Sequence, residues 1–211
     1  MKVRNASKNQ LRRLPIYLSY LREKQLEGVE LISSPQIASS LNLSEEQVRK
    51  DLNLVSSKNG KPKIGRDIKL LIYDIEEFLG YRDSRKAILV GAGHLGRALM
   101  AHDGFSSYGL DIICGFDNDI NKSNCIFNGK NIYSLSELER VTKELNVHIG
   151  IITVPHQHAQ EVCDKLVAVG IRGIWNFTTA VLEVPTNVIV QNENMASSLA
   201  VLSNKLKELL Y

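Results

Sequence analysis

The chain has 211 residues, 44% hydrophobic and 23% charged, with a formal net charge of +3. This length supports one large or two modest cores, and no stretch is long and apolar enough to span a membrane. The charge is lopsided: residues 1–85 hold 16 Lys+Arg against 11 Asp+Glu, residues 86–211 hold 10 against 12, the asymmetry of a basic head meant for an anionic partner.

Leu11, Leu14, Tyr17, Leu18, Leu21 and Leu26 mark one face of a helix over Lys8 to Leu26, which Pro15 should kink or start. Ser34 and Pro35 read as N-cap and first helical residue of a short helix to Leu41. After a turn at Leu41-Asn42-Leu43, Ser44 caps another helix, with Gln47 at capping-box spacing and Glu45 and Glu46 at the positive dipole end. Two short helices across a tight turn make a helix-turn-helix whose second helix reads DNA. There Val48, Leu52 and Val55 are the buried side; Ser44, Gln47, Arg49 and Lys50 are the candidate DNA-facing residues. Glutamine suits an adenine edge, arginine guanine or phosphate, lysine phosphate.

Residues 57–66 follow, with Lys58, Lys61, Lys63 and Arg66 surrounding an Asn59-Gly60 turn signal. A basic hairpin behind a reading helix is read as a wing on the phosphate backbone. Asp74 is expected to cap a last short helix, Ile75 to Leu79, ended by Gly80. Arg82 to Arg85 form a polar joint, so the first domain is assigned residues 1–80.

Ala87 to Val90 then reads as a buried strand running into Gly91-Ala92-Gly93-His94-Leu95-Gly96 and a helix. In a Gly-x-Gly-x-x-Gly turn the first glycine permits the tight bend, the second lets a pyrophosphate approach the backbone, and the third lets helix and strand pack closely. The helix N-terminus then aims free N–H groups at the phosphates. The next strand, Leu110 to Phe116, ends in Asp117, about twenty residues beyond the last glycine, where an acid holds a ribose diol. The expected ligand is a dinucleotide.

Asn118 to Asn131 is read as loop, with a short strand at Asn131 to Tyr133, and Ser136 as the cap of a helix to Leu145. Ile149 to Val154 is a buried parallel strand ending at Thr153-Val154-Pro155, on the ligand edge of the sheet. A helix from Ala159 to Val169 and strands Gly173 to Phe177 and Val188 to Gln191 complete the second domain, residues 86–193. His156 and His158 have no third ligand at suitable spacing, so no metal is expected. Cys114, Cys125 and Cys163 are odd in number and scattered, as suits a reducing cytoplasm; Cys114 and Cys163 sit in apolar patterns of the core. Lys2 and Arg4 have no apolar run behind them, so no secretory signal is expected. Residues 194–211 close the chain with Leu199, Leu202, Leu206 and Leu209 at helical spacing, a helix that must cover its own sheet or a partner subunit.

The fold class expected is α/β: an N-terminal winged helix-turn-helix, a Rossmann-like NAD-binding domain and a C-terminal helix. No nucleophile–base pair or paired carboxylates appear, which favours a sensor over an enzyme. The chain resembles the Rex family of redox-sensing transcriptional repressors. The resemblance runs over Leu11 to Leu206 and is carried by Gln47 to Leu52, Leu89 to Gly93, Leu95 to Leu99, Phe116-Asp117, Ile151 to Pro155 with Ala159-Gln160, and Gly173-Ile174 with Asn176-Phe177. It implies a homodimer with a swapped C-terminal helix and a pseudo-palindromic double-stranded DNA operator that is released when NADH binds. Carried over, Gly91, Ala92, Gly93, His94, Leu95 and Gly96 would line the pyrophosphate and Asp117 the ribose. Thr153, Val154, Pro155, Asn176 and Phe177 would border the nicotinamide.

The sequence departs from the family at His94, where Asn or Arg is usual, and in the wing, whose end is Gly65-Arg66 rather than Gly-Tyr. A switch relay that usually holds Arg, Tyr and Asp aligns with Ser19, His102 and Asn194. These departures imply a divergent paralogue with a weak or absent NADH response as an alternative. A CoA-binding module and a small NAD-dependent oxidoreductase are the rivals from other classes.

Overall fold

The computed structural model describes residues 6–57, 65–83 and 85–210. The chain divides into two compact units, Met1–Asp83 and Ser84–Tyr211.

In the first unit, helix α1 (Lys8–Leu26) starts at a capping box: Ser7 accepts from the Gln10 N–H while the Gln10 side chain accepts from the Ser7 N–H. Ser7, not Pro15, therefore sets the start, and Pro15 lies inside the helix. Leu14, Tyr17, Leu18 and Leu21 are fully buried. Leu11 and Leu26, expected on the same face, are 43% and 91% exposed, because the core against α1 spans only its middle turns. Helix α2 (Ser34–Leu41) is capped by Ser33, one residue before the cap expected. Gln36 stands three residues beyond Ser33 and completes a second capping box, which leaves Pro35 in the first turn. Asn42 in the left-handed region (φ 52°) closes α2 and turns the chain into helix α3 (Glu45–Val55).

Strand β1 (Leu31–Ile32) pairs antiparallel with β2 (Arg66–Asp67), Leu31 against Asp67 and Ile32 against Arg66. Helix α4 covers Ile68–Leu79 and is capped by Asp67, seven residues earlier than the expected start at Ile75. Asp74 is not a cap. It is buried within α4, where its carboxylate accepts from the Ser57 N–H and hydroxyl at 2.7 and 2.9 Å. The apolar spacing of Ile68, Leu71, Ile72 and Ile75 carries the helix through it. Gly80 (φ 70°) ends α4, as predicted. The hairpin expected at Asn59-Gly60 falls outside the described residues.

The second unit is built on a seven-stranded sheet in the order β5-β6-β4-β3-β7-β8-β9. The strands are β3 (Arg85–Val90), β4 (Leu110–Asp117), β5 (Cys125–Phe127), β6 (Lys130–Ser134), β7 (Ile149–Ile152), β8 (Gly173–Asn176) and β9 (Ile189–Asn192). All neighbours are parallel except β5, which runs against β6. The order reverses at β3, between β4 and β7, and that is where such sheets open a ligand crevice. Helices α6 (Leu138–Leu145) and α7 (Ala159–Ala168) cover one face around Ile88, Val90, Phe116 and Ile152, with Cys114 and Cys163 buried there as expected. Helix α5 (His94–Ala101) lies on the face of Ala87, Leu89 and Ile151.

Two expectations fail in this unit. The stretch read as loop holds β5, because Asn128 (φ 48°) and Gly129 (φ 73°) form a tight turn that folds three residues back on β6. The α6 segment begins with a 3₁₀ turn, Leu135–Glu137, capped by Ser134, and Ser136 lies inside that turn. The chain ends in α8 (Met195–Leu210), where Leu199, Leu202 and Leu209 are 62%, 63% and 82% exposed. Among the described residues no helix is long and apolar enough to cross a membrane.

Candidate functional site

The crevice at the β3 switch point is built from the glycine turn. Gly91 leaves β3 at φ +105°, and a Cβ there would lie 2.8 Å from the carbonyl carbon and oxygen of Thr153. Its N–H donates to the Phe116 carbonyl at 2.8 Å, so the turn is tied to the strand on its other side as well. Thr153 locks it further, its hydroxyl donating to the carbonyls of Gly91 at 2.8 Å and Val90 at 3.1 Å. Gly96 packs under the turn so closely that a Cβ would overlap the Gly91 carbonyl oxygen. Gly93 differs: a Cβ there meets nothing within 4 Å. It is also the N-cap of α5 and offers no side-chain acceptor to the first-turn N–H groups. Open space in front of unsatisfied helix N–H groups is what an anionic pyrophosphate needs.

Asp117 closes the other end of the floor. One carboxylate oxygen accepts from the Ala92 N–H at 2.8 Å and the other from the Asp119 N–H at 2.9 Å. The carboxylate is thereby held at the strand end, where a ribose diol can donate to its remaining lone pairs. Its negative charge disfavours a phosphorylated ribose at the same place. A cavity of about 570 Å³ joins these parts, lined by Gly91, Gly93, Asp117, Thr153, Val154 and Pro155, a size suited to a cofactor.

These six are brought together as one surface. Ala92 is buried behind them and contributes its N–H to Asp117. His94 and Leu95 are exposed on the first turn of α5. Asn176 and Phe177 lie at the end of β8, beyond β7, with the Phe177 ring packed on Trp175 at 4.8 Å. The Asn176 side chain is completely buried and its amide is fully engaged within the protein. Sequence reasoning missed Lys122 and Lys165, which line the same cavity. Lys122 is paired with Asp119 at 3.2 Å and Lys165 with Glu161 at 2.7 Å. Only their proximity in space, from a loop and from α7, identifies them. His156 places Nδ1 3.0 Å from the Thr179 hydroxyl, and among the described residues no three His, Cys, Asp or Glu side chains form a metal site.

The second candidate surface is α3. Ser44 caps it by accepting from the Gln47 N–H at 3.2 Å. Val48, Leu52 and Val55 are buried as predicted, Arg49 and Lys50 are exposed and Gln47 is half-buried. Lys50 reaches back to Glu46 at 2.7 Å, both ends in solvent. What the sequence did not announce is Asp51, 1% exposed on the inner side of this helix. Arg13 of α1 grips it twice, Nε to Oδ2 at 2.7 Å and Nη2 to Oδ1 at 2.9 Å, and the Tyr17 hydroxyl donates to Oδ2 at 2.8 Å. Burial pushes the Asp51 carboxyl up, but the hydrogen bonds from Arg13, Tyr17 and Gln10 outweigh it, and the net shift is downward. Burial, then the hydrogen bond to Asp51, pushes the Tyr17 phenol up to about 12.

Arg66 turns back onto the end of α3, donating to the Ser56 hydroxyl at 3.0 Å and to Asn53 Oδ1. Lys58, Lys61 and Lys63 fall outside the described residues. Of the relay positions, Ser19 is exposed on α1. The His102 ring meets Phe105 edge-on at 4.8 Å, and the Asn194 side chain accepts from the Ser197 N–H at 3.1 Å at the start of α8.

Two family models match the chain: one described as "Putative DNA-binding protein N-terminus" over residues 6–53, the other as "CoA binding domain" over residues 82–180. The redox-sensing transcriptional repressor Rex of Treponema denticola is 43% identical over 91% of this chain and 91% of its own length. That of Bacteroides fragilis is 38% identical over 93% and 89%. Among solved structures, RSP in complex with β-NAD+ and operator DNA superposes with a TM-score of 0.90 at 30% identity, covering 97% of this chain and 94% of that one. RSP in complex with β-NADH gives 0.86 at 30% identity, over 96% and 95%.

Proposed function

This chain belongs to the Rex family of redox-sensing transcriptional repressors, and we propose that it is a repressor whose operator affinity is set by the NADH to NAD+ ratio in its cleft. It is a regulator and not an enzyme. The observation that carries the reading is the pairing, in one chain, of a capped reading helix with a glycine-floored cleft ending in a pinned carboxylate. The cofactor, when bound, supplies a nicotinamide ring that is cationic when oxidised and neutral when reduced. The protein's task is to hold that ring and pass its state to the DNA-reading unit.

On this reading Gly91, Gly93, His94, Leu95 and Gly96 form the turn that holds the pyrophosphate, with Ala92 buried behind it positioning Asp117 for the adenosine ribose, and Thr153, Val154, Pro155 and Phe177 border the nicotinamide end, with Asn176 buried behind them. Ser44, Gln47, Arg49 and Lys50 contact DNA, joined by the basic residues Lys58, Lys61 and Lys63, and Arg66 braces the end of α3 through Ser56 and Asn53. Residues 1–80 form the reading domain, 86–193 the cofactor domain, and 194–211 the helix that pairs two copies. The exposed leucines of α8 support a homodimer with that helix swapped, and such a dimer matches a pseudo-palindromic operator. NADH acts only through its different affinities for the DNA-competent and DNA-incompetent dimer. We place the protein in the cytoplasm, where chromosome and NADH pool meet. A labelled pseudo-palindromic duplex, selected for binding by the cofactor-free protein and titrated with NADH and with NAD+, tests the reading by anisotropy. Release by NADH and retention with NAD+ is the expected result. Competition with CoA addresses the rival cleft ligand, and Asp117 favours the dinucleotide.

A second reading rests on Ser19, His102 and Asn194, which stand where the family's charged relay is expected. Ser, His and Asn replace the Arg, Tyr and Asp of that relay, and operator binding then responds weakly to NADH or not at all. A flat NADH titration by a protein that binds both DNA and NADH selects this reading.

A further inference from the structure

Asn176 is a completely buried amide with every hydrogen-bonding position occupied. Oδ1 accepts from the Thr178 N–H at 3.0 Å and the Thr178 hydroxyl at 2.8 Å. Nδ2 donates to the Ala180 carbonyl at 3.0 Å and to Asn192 Oδ1 at 2.8 Å. Turning the amide over would set donors against donors and acceptors against acceptors, so its orientation is determined. One side chain thus ties together the end of β8, the strap that follows it and the last residue of β9. The same tie is doubled alongside: the Glu193 N–H donates to the Asn176 carbonyl at 2.8 Å, and the Trp175 indole donates to the Glu193 carboxylate at 3.0 Å. Three residues beyond Asn192, α8 begins.

The strap itself is fastened to the cofactor edge. His156, next to Pro155, meets Thr179 at 3.0 Å. The Gln160 amide pairs with both the carbonyl and the N–H of Glu183, each at 2.9 Å. A displacement at Pro155 or Phe177 therefore bears on Thr178 and Thr179, and Asn176 can follow Thr178 with its bond to Asn192 intact only if Asn192 moves as well. Asn176 is buried although Asn192 is exposed, so losing this bond leaves a buried N–H donor without its protein partner, and the group is favoured to move as a unit.

We infer that the Asn176–Asn192 amide pair is a tether that makes the root of α8 respond to what occupies the nicotinamide edge, with Asn192 as a positioning residue that touches neither cofactor nor DNA. The inference rests on the reading of the cleft and of α8 given above. The test uses the full-length chain with Asn192→Ala, which removes the acceptor, and Asn192→Asp, which keeps it. NADH affinity is read by energy transfer from Trp175, the chain's single tryptophan, and operator affinity by anisotropy with and without saturating NADH. Expected for Asn192→Ala are NADH and cofactor-free operator affinities within about twofold of the parent, and an NADH-induced change in operator affinity smaller by about tenfold. Asn192→Asp should restore the change. Asn192→Ala with the parent's full response overturns the tether, as does Asn192→Ala that loses NADH or DNA binding outright. If the unaltered chain fails to bind NADH or to release DNA, the reading beneath the tether falls first, and that outcome is visible without any variant.

Discussion

Arg13 and Asp51 meet side-on across the first unit, two nitrogens on two oxygens at 2.7 and 2.9 Å, with Asp51 1% and Arg13 17% exposed. The pair fixes α3 against α1 by direction as well as by burial, since a bidentate guanidinium admits one approach. On the proposed function α3 reads DNA by its outer face and needs its inner face held in one orientation, and an apolar contact alone tolerates more sliding.

Asp51→Ala should therefore destabilise the reading unit by about 3–5 kcal/mol, because it strands the partly buried Arg13 guanidinium and frees the Tyr17 hydroxyl. Chemical denaturation followed by circular dichroism measures it. Asp51→Asn keeps the shape and should cost less.

The same carboxylate sets an acid limit. Its folded pKa lies below its unfolded one, so the stability it contributes is present above the ordinary aspartate value and is lost as pH falls through the folded value. Tyr17 sets the alkaline limit. Its folded pKa is raised from 10 to about 12, so its contribution is full below 10 and fades as pH rises towards 12. Denaturation midpoints of residues 1–83 within the full chain should fall on both flanks. Asp51→Asn should flatten the acid flank and also move the alkaline one to lower pH, because the Asp51 carboxylate helps to raise the Tyr17 phenol.

The three glycines of the cleft separate folding from binding. Gly96→Ala drives a methyl into the Gly91 carbonyl and should cost about 1–3 kcal/mol of stability. Gly93→Ala meets no protein atom, so the melting temperature of the ligand-free protein should hold while the stabilisation by added NADH shrinks. A thermal shift series with and without NADH distinguishes them.

Lys50 is held by Glu46 in an exposed i,i+4 pair, weak in solvent, which a DNA phosphate displaces easily. Lys50→Ala should weaken operator and non-specific duplexes alike and lower the salt slope of binding by about one. Gln47→Ala should instead reduce discrimination between operator and mismatched duplexes by about 1–3 kcal/mol.

Leu202→Lys or Leu206→Lys on α8 should shift the protein from dimer to monomer, measured by light scattering after gel filtration. Neither should change the fold of the cofactor unit, because these side chains are exposed on the chain itself. A species that stays dimeric with both substitutions removes α8 from the interface.

Much of this protein is written in local pattern. The span of α1, the burial of Val48, Leu52 and Val55, the glycine turn and the acid at the end of β4 each depend on neighbours within a few residues or on one strand's spacing. Periodicity and turn chemistry report such neighbours directly. Where the reading slipped, a local signal was outvoted. Asp74 looks like a cap and is an internal residue because the apolar stripe of α4 runs past it. Asn128-Gly129 makes a hairpin although its strands are too short and polar to stand out. Beyond that reach lay every relationship between distant residues: Arg13 with Asp51, Arg66 with Ser56, Lys165 on the same cavity as Asp117, Asn176 with Asn192. None of these has a spacing to detect. A buried charge or amide is stable only where its partner arrives from another element, and the tertiary structure alone decides where that is.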